Sequence, residues 1–176
     1  MDELVFVVPE LCHKKAAEEF KREFFDQGES VINGSALLDQ MDYEDWCENT
    51  RRNRRPETAR ADWVSADTFF VFRKGDGKLV GVIDLRHDIS GNEFLSAYGG
   101  HIGYSVRPSE RRKGYAFQML RMALAHEKVL GLSRVMLGCY CDNLASKRTI
   151  ERCGGRLAET KPYLDGKPMD VYWIEL

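Results

Sequence analysis

The chain has 176 residues, of which 43% are hydrophobic, 31% charged and 11% aromatic, the profile of a soluble globular protein that buries one core, so a single domain over 1–176 is expected. A formal net charge of -2 excludes the broad positive field of nonspecific nucleic-acid binding, and no apolar run approaches the roughly 18 residues of a membrane span. Met1-Asp2-Glu3 lacks the basic start of a signal peptide, and the five cysteines form no Cys-x-x-Cys pair, so a cytoplasmic protein with reduced thiols and no metal site is expected.

Leu4 to Val8, closed by Pro9, predicts a first strand, and Glu10 to Asp26 places Ala17, Phe20 and Phe24 on one helical face that ends at Gly28. Ser30 to Gln40 carries the loop signal Asn33-Gly34 and is expected to be mobile and near the substrate; a helix resumes from Asp42 to Arg52. The β-rich runs 67–72 and 78–85 flank the turn Gly75-Asp76-Gly77 and predict a hairpin. Both are apolar on successive residues, as in strands covered by helices on two faces.

His101 to Arg107 predicts another strand, stopped by Pro108, and Gly114 to Leu130 a long helix burying Phe117, Leu120 and Leu124. A strand over Ser133 to Cys141 follows, carrying Cys139 and Cys141 on one face as small buried hydrophobes rather than a nucleophile or metal pair. Asp142 or Asn143 caps the next helix, which ends at Gly154-Gly155, and Arg156–Pro162 pairs with Met169–Leu176 across Asp165-Gly166. The strand-helix-strand-helix unit from His101 to Cys153 is expected to be a right-handed crossover, with ligands at the carboxyl ends of its strands.

The segment that carries chemistry is His101-Ile-Gly-Tyr-Ser-Val-Arg-Pro-Ser-Glu-Arg-Arg-Lys-Gly-Tyr-Ala-Phe-Gln-Met-Leu120. A strand ends at a proline, a basic turn follows, and a glycine stands where a helix begins. Successive backbone N–H groups at a helix start attract anions, and a glycine lets a phosphate approach closely. On physics alone, an anion site and a merely solvated basic turn stand about equal. A P-loop and a Rossmann fingerprint are both absent.

Arg111-Arg112-Lys113-Gly114-Tyr115-Ala116 matches the signature Gln/Arg-x-x-Gly-x-Gly/Ala of the GNAT superfamily of acyl-CoA N-acyltransferases, which this chain resembles. Val106-Arg107-Pro108 is similar to the family's strand exit, and Asn143-Leu144-Ala145-Ser146 to its Asn-x-x-Ser/Ala; at Gly154-Gly155 a glycine replaces the usual aromatic residue. Within the family it looks most like uncharacterised bacterial acetyltransferases with a Gly-His-Ile-Gly-Tyr-Ser-Val-Arg-Pro segment. The fold this implies is α/β (α+β), a mixed central sheet of about seven strands flanked by about four helices.

The resemblance implies an enzyme that moves the acetyl group of acetyl-CoA to a primary amine of a small molecule or peptide, in a ternary complex. A catalytically silent acyl-CoA-binding module of the same fold is the alternative. Amides from Arg111 and Arg112 through Lys113, Gly114 and Tyr115 to Ala116 are expected to hold the pyrophosphate. Backbone at Tyr104, Ser105 and Val106 would pair with pantetheine, and the Tyr104 amide would bond the acetyl carbonyl. Asn143 and Ser146 are expected on the far side of pantetheine, or simply as a helix cap. Similar proteins are frequently homodimers.

Attack on a thioester needs a neutral amine, whereas a lysine-like amine of pKa about 10.4 arrives protonated. His101 is the leading candidate base, against an equal reading as a structural histidine at a strand end. The family's usual acid, seven residues after the asparagine, is replaced by Ile150, which leaves Tyr140 and Ser146 as the nearest candidates. Arg86, His87 and Asp88 could face the acceptor groove, and Arg51, Arg52, Arg54 and Arg55 could clamp an anionic acceptor. A solvated role is favoured for both groups.

Overall fold

The structure, a computed structural model, describes residues 2–176. Its elements in chain order are β1 (Leu4–Val7), α1 (Lys14–Asp26), α2 (Tyr43–Asn53), β2 (Ala66–Arg73), β3 (Lys78–Arg86), β4 (Ile102–Val106), α3 (Tyr115–Val129), β5 (Arg134–Tyr140), α4 (Leu144–Arg152), β6 (Arg156–Pro162) and β7 (Pro168–Glu175). Seven strands and four α-helices match the expected count. They are divided between a four-stranded sheet, β1-β2-β3-β4, and a three-stranded sheet, β5-β7-β6, in which every neighbouring pair is antiparallel.

β2 and β3 are apolar on both faces because helices cover both. On one face Phe70 and Val82 pack with Phe20 and Phe24 of α1 and Trp46 of α2. On the other, Val71, Ile83 and Leu85 pack with Met119, Leu120 and Ala123 of α3, and this core continues to Val135 and Leu137 of β5. The buried stripe of α3 is Tyr115, Met119, Leu120, Ala123 and Glu127, so Phe117 and Leu124 lie beside it rather than on it. Phe117 instead takes Arg152 of α4 against its ring, 4.2 Å away, an amphipathic contact that hydropathy spacing does not register.

α3 carries the chain from β4 to β5, and those two strands belong to different sheets. They meet where the residues just before β4 reach the middle of β5: Gly100 bridges to Leu137 and the His101 N–H donates to the Met136 carbonyl at 2.8 Å. Gly100 has φ 66, and a Cβ there would stand 2.2 Å from that same carbonyl oxygen, so only glycine fits the seam. Beyond this seam the two sheets separate.

The 30–40 segment, expected to be mobile, is tethered. Ile32 donates its N–H to Asp39 Oδ2 at 3.0 Å, and Trp46 Nε1 donates to the Ser35 carbonyl at 2.7 Å. Ser105 Oγ donates to the Asn33 carbonyl at 2.8 Å, which ties the segment to β4.

Candidate active site

The register of β3 on β4 determines which way each β4 peptide points. Arg86 donates to the His101 carbonyl and Arg107 to the Val80 carbonyl, both at 2.8 Å, so the alternation of an antiparallel ladder turns Gly103 and Ser105 toward β3 and Tyr104 and Val106 away from it. The N–H and C=O of Tyr104 have no partner among the described residues, while the Val106 carbonyl accepts only from Arg111 Nε at 3.2 Å. β4 thus offers an unpaired edge to the gap between the sheets. Ser105 is turned out of it, its backbone held by Val82 and its hydroxyl by Asn33.

The chain leaves this edge through Pro108–Glu110 and enters the basic turn. Arg112 has φ 65 and Gly114 has φ 84. Left-handed residues at alternate positions turn successive amides to one concave side, the geometry of an anion nest. Among the described residues the N–H groups of Arg112, Lys113, Gly114, Tyr115 and Ala116 find no acceptor; the Arg111 N–H does, donating to the Pro108 carbonyl. A non-glycine residue in this region costs on the order of 1–2 kcal/mol, so the Arg112 backbone is held there by its surroundings.

Those surroundings are charged side chains that sequence reasoning missed. Glu110 is 3% exposed and accepts from Lys78 at 2.6 Å, Lys113 at 2.7 Å and Arg73 at 2.8 Å. Burial alone would raise its pKa, but these three cations bring it down to about 2. Arg73 also donates to Tyr115 Oη at 2.9 Å, and Tyr115 in turn donates to Asp2, so the Tyr115 ring lies in the core and only its amide faces the nest. Glu23 of α1 takes Arg107 and the Ser109 N–H, each at 2.6 Å, and Glu29 takes Arg111 at 2.7 Å. No spacing rule links Arg73, Lys78 and Glu110, which meet only through the β2–β3 hairpin.

On the other side of the gap, Asn143 Oδ1 accepts from the Ser146 N–H at 3.1 Å, the helix cap that was the plainer expectation. Ser146 Oγ lies 3.1 Å from Tyr104 Oη, so β4 and α4 are joined by a pair of hydroxyls across the gap. Burial pushes the Tyr104 phenol up to about 12, so it remains protonated. Tyr140 donates its hydroxyl to Asp165 at 3.1 Å.

His101 is 8% exposed and lies in the seam. Its Nδ1 accepts from the Met136 N–H at 3.0 Å, and burial pushes its pKa down to about 4. A ring whose lone pair is already bonded, and which disfavours charge, is a poor proton acceptor. His87 faces the opposite side of the sheet, where it and His126 share Asp67 Oδ2 at 3.2 and 3.0 Å. Arg54 bonds the other oxygen of Asp67, and Arg51 bonds Glu48, so neither belongs to a common clamp.

A pocket of about 430 Å³ opens on the α1–α2 side of β4, between the 31–40 segment and the ends of α2 and β3. It adjoins the free edge, because Gly34 packs on the Gly103–Tyr104 peptide so closely that a Cβ would stand 2.0 Å from the Gly103 carbonyl carbon. Of the expected strand-exit group, Arg86 lines this pocket, while Asp88 only caps the Ser90 N–H at 2.8 Å.

The family model described as "Acetyltransferase (GNAT) domain" matches residues 10–156. The chain belongs to the GNAT acetyltransferase family. An uncharacterized N-acetyltransferase of Bacillus subtilis (strain 168), YjdG, is 32% identical over 92 residues. That match takes in 50% of each chain, so this protein spans about half the length of the curated relative it matches. Among solved structures, the ribosomal alpha-N-protein acetyltransferase RimL in complex with coenzyme A superposes with a TM-score of 0.72 at 17% identity, covering 98% of this chain and 94% of that one. The microcin self immunity acetyltransferase MccE, in complex with acetyl-CoA and AMP, gives 0.69 at 19% identity over 100% and 94%. These likenesses establish the GNAT fold. No helix among the described residues is long and apolar enough to cross a membrane.

Proposed function

We propose that this protein transfers the acetyl group of acetyl-CoA to a primary amine. The observation that carries the reading is the continuity of the unpaired β4 edge with the five unaccepted amides from Arg112 to Ala116. A diphosphate fits the nest, and an extended amide-bearing arm fits the edge as an added strand. The Tyr104 N–H then donates to the acetyl carbonyl, where negative charge grows during attack. Family membership and solved relatives holding acetyl-CoA support the same assignment.

In the proposed reaction the amine lone pair attacks the thioester carbon, the C–S bond breaks with its electrons on sulfur, and an amide and a thiol result. One proton leaves the nitrogen and one reaches the sulfur. The bonded, charge-averse ring of His101 assigns it to holding the seam, with the amine losing its proton to solvent. For the sulfur, the Tyr104–Ser146 hydroxyl pair beside the edge takes precedence over Tyr140, whose proton is already directed to Asp165. A thiolate is a tolerable leaving group near neutrality, so either acid contributes modestly.

The purified protein is expected to gain thermal midpoint with acetyl-CoA, by mass action on the native state, and to release thiol when pooled amines are added. A midpoint shift without thiol release for any amine would establish the silent acyl-CoA-binding module instead. No shift would remove both readings.

A further inference from the structure

The pocket beside β4 contains polar atoms that the fold leaves unused. Ser35 is 1% and Asn53 4% exposed, yet Ser35 Oγ and Asn53 Oδ1 have no hydrogen-bond partner among the described residues. Both residues line this pocket. A buried polar atom without a partner is destabilising, and Asn53 spends its Nδ2 on the Val64 carbonyl at 2.9 Å. Atoms held in this way point to a ligand that completes them.

Arg86 is the only cation among the residues lining the pocket. Its Nη1 donates to the Gly99 and Gly100 carbonyls at 3.1 and 3.0 Å, and its Nε lies 3.1 Å from Asp84 Oδ2. Nη2 has no partner among the described residues, and it stands 3.2 Å from where a Cβ on Gly103 would lie. The open donor of the guanidinium is therefore against β4, one residue from Tyr104. An anion bound there lies beside the strand that carries Tyr104.

Asp84 accepts from Thr68 at 2.8 Å as well as facing Arg86, so the floor is a carboxylate–guanidinium pair. A zwitterion matches such a pair, whereas a simple cation meets the charge of Arg86 and a simple anion that of Asp84. Asp39 is engaged by the Ile32 amide, and Asp62 lies out at the rim with a 68% exposed side chain. Val31, Leu37, Trp63, Phe94 and Leu95 give the remaining wall a large apolar share, beside the amides Asn33, Gln40 and Asn92, and a volume of about 430 Å³ is in the range of small-molecule sites.

From this arrangement, and resting on the acetyltransferase reading above, we infer that the acceptor is a free α-amino acid with an apolar side chain. Arg86 Nη2 takes the carboxylate, Ser35 Oγ and Asn53 Oδ1 supply a further donor and acceptor, and Trp63 and Phe94 flank the side chain.

The test is calorimetric titration of the whole protein with L-phenylalanine, its amide and phenethylamine, each with and without acetyl-CoA. L-Phenylalanine is expected to bind roughly tenfold to a hundredfold more tightly than either analogue, the range for a hydrogen bond to a charged group. Ser35→Ala is expected to weaken its binding several-fold while leaving the thermal midpoint of the free protein unchanged or higher, since the hydroxyl has no partner to lose. Equal or tighter binding of the amide or the amine, or no binding of the amino acid, overturns the inference, and so does Ser35→Ala binding like the parent. The comparison uses the unaltered protein, so it stands even if Arg86→Gln fails to fold. Acetyl-CoA titrated alone keeps the two readings apart: if it does not bind, the acetyltransferase reading falls, and the cofactor-free titrations still decide the pocket.

Discussion

The basic turn and the neighbouring pocket are unfinished in opposite ways. In the turn the side chains of Glu110, Arg111, Lys113 and Tyr115 are all bonded, and the backbone amides from Arg112 to Ala116 are free among the described residues. In the pocket the backbone of the 31–40 segment is tied down, while Ser35 Oγ, Asn53 Oδ1 and Arg86 Nη2 are left over. Backbone donors recognise a group that every substrate in a class shares, since they depend on conformation rather than on residue type. Side-chain atoms recognise one molecule, and they change with single substitutions.

Two substitutions in the turn should have the largest effects, and they should differ in kind. Gly114→Asp puts a carboxylate beside the nest and a Cβ on a residue at φ 84. Acetyl-CoA affinity should fall a hundredfold or more, read by the loss of its thermal shift, and near-parental affinity would remove the nest. Glu110→Gln leaves Arg73, Lys78 and Lys113 without their shared anion, and stability should fall by about 3 kcal/mol in denaturant titration. A variant as stable as the parent would show that the turn is not held by its side chains.

The next effect sharpens the division at the seam between the sheets. Because the folded pKa of His101 is depressed to about 4, below its ordinary value of 6.5, its contribution is complete above pH 6.5 and is lost as pH falls through about 4. The loss amounts to about 3 kcal/mol. His101→Gln should flatten the stability profile over this window and leave the pH dependence of turnover parental. A turnover profile that changes while the stability profile does not would restore His101 as a base.

Smaller still are the hydroxyl variants. Ser146→Ala should lower turnover about tenfold with acetyl-CoA affinity retained, and Tyr140→Phe by less than that. The reverse order would move the acid to Tyr140.

The turn was legible because its signal is local. Gly114, the basic residues before it and Pro108 lie within a few positions of one another, and each constrains the backbone directly. The other strands were legible for a similar reason, their apolar runs being bounded by Gly, Pro and Asp, and β6, polar and exposed along its length, through the Asp165-Gly166 turn that pairs it with β7. The split between β4 and β5 was not, since it depends on Gly100 meeting Met136 across 36 positions, and nothing in either segment announces the other. The pocket was least legible. Ser35, Asn53 and Arg86 come from a loop, a helix end and a strand end, and their isolation is a property of three-dimensional surroundings rather than of spacing. His101 stood at a strand end as read, but its lone pair was already taken by a backbone amide that the sequence does not place beside it.

The unpaired side of β4 also bears on solubility. A bare strand edge ordinarily invites another chain to pair with it, and proteins blunt such edges with charges, bulges or prolines. Here Tyr104 and Val106 carry none of these devices, and none is needed. Their open donors and acceptors face inward, under α3 and α4 and opposite β5, with the seam at Gly100 closing one end. A polypeptide strand would have to bring a pleated backbone and its side chains into a space bounded by two sheets already joined at that end. A slender, flexible arm without side chains needs far less room. The same geometry that leaves these amides available to a ligand thus screens them from aggregation.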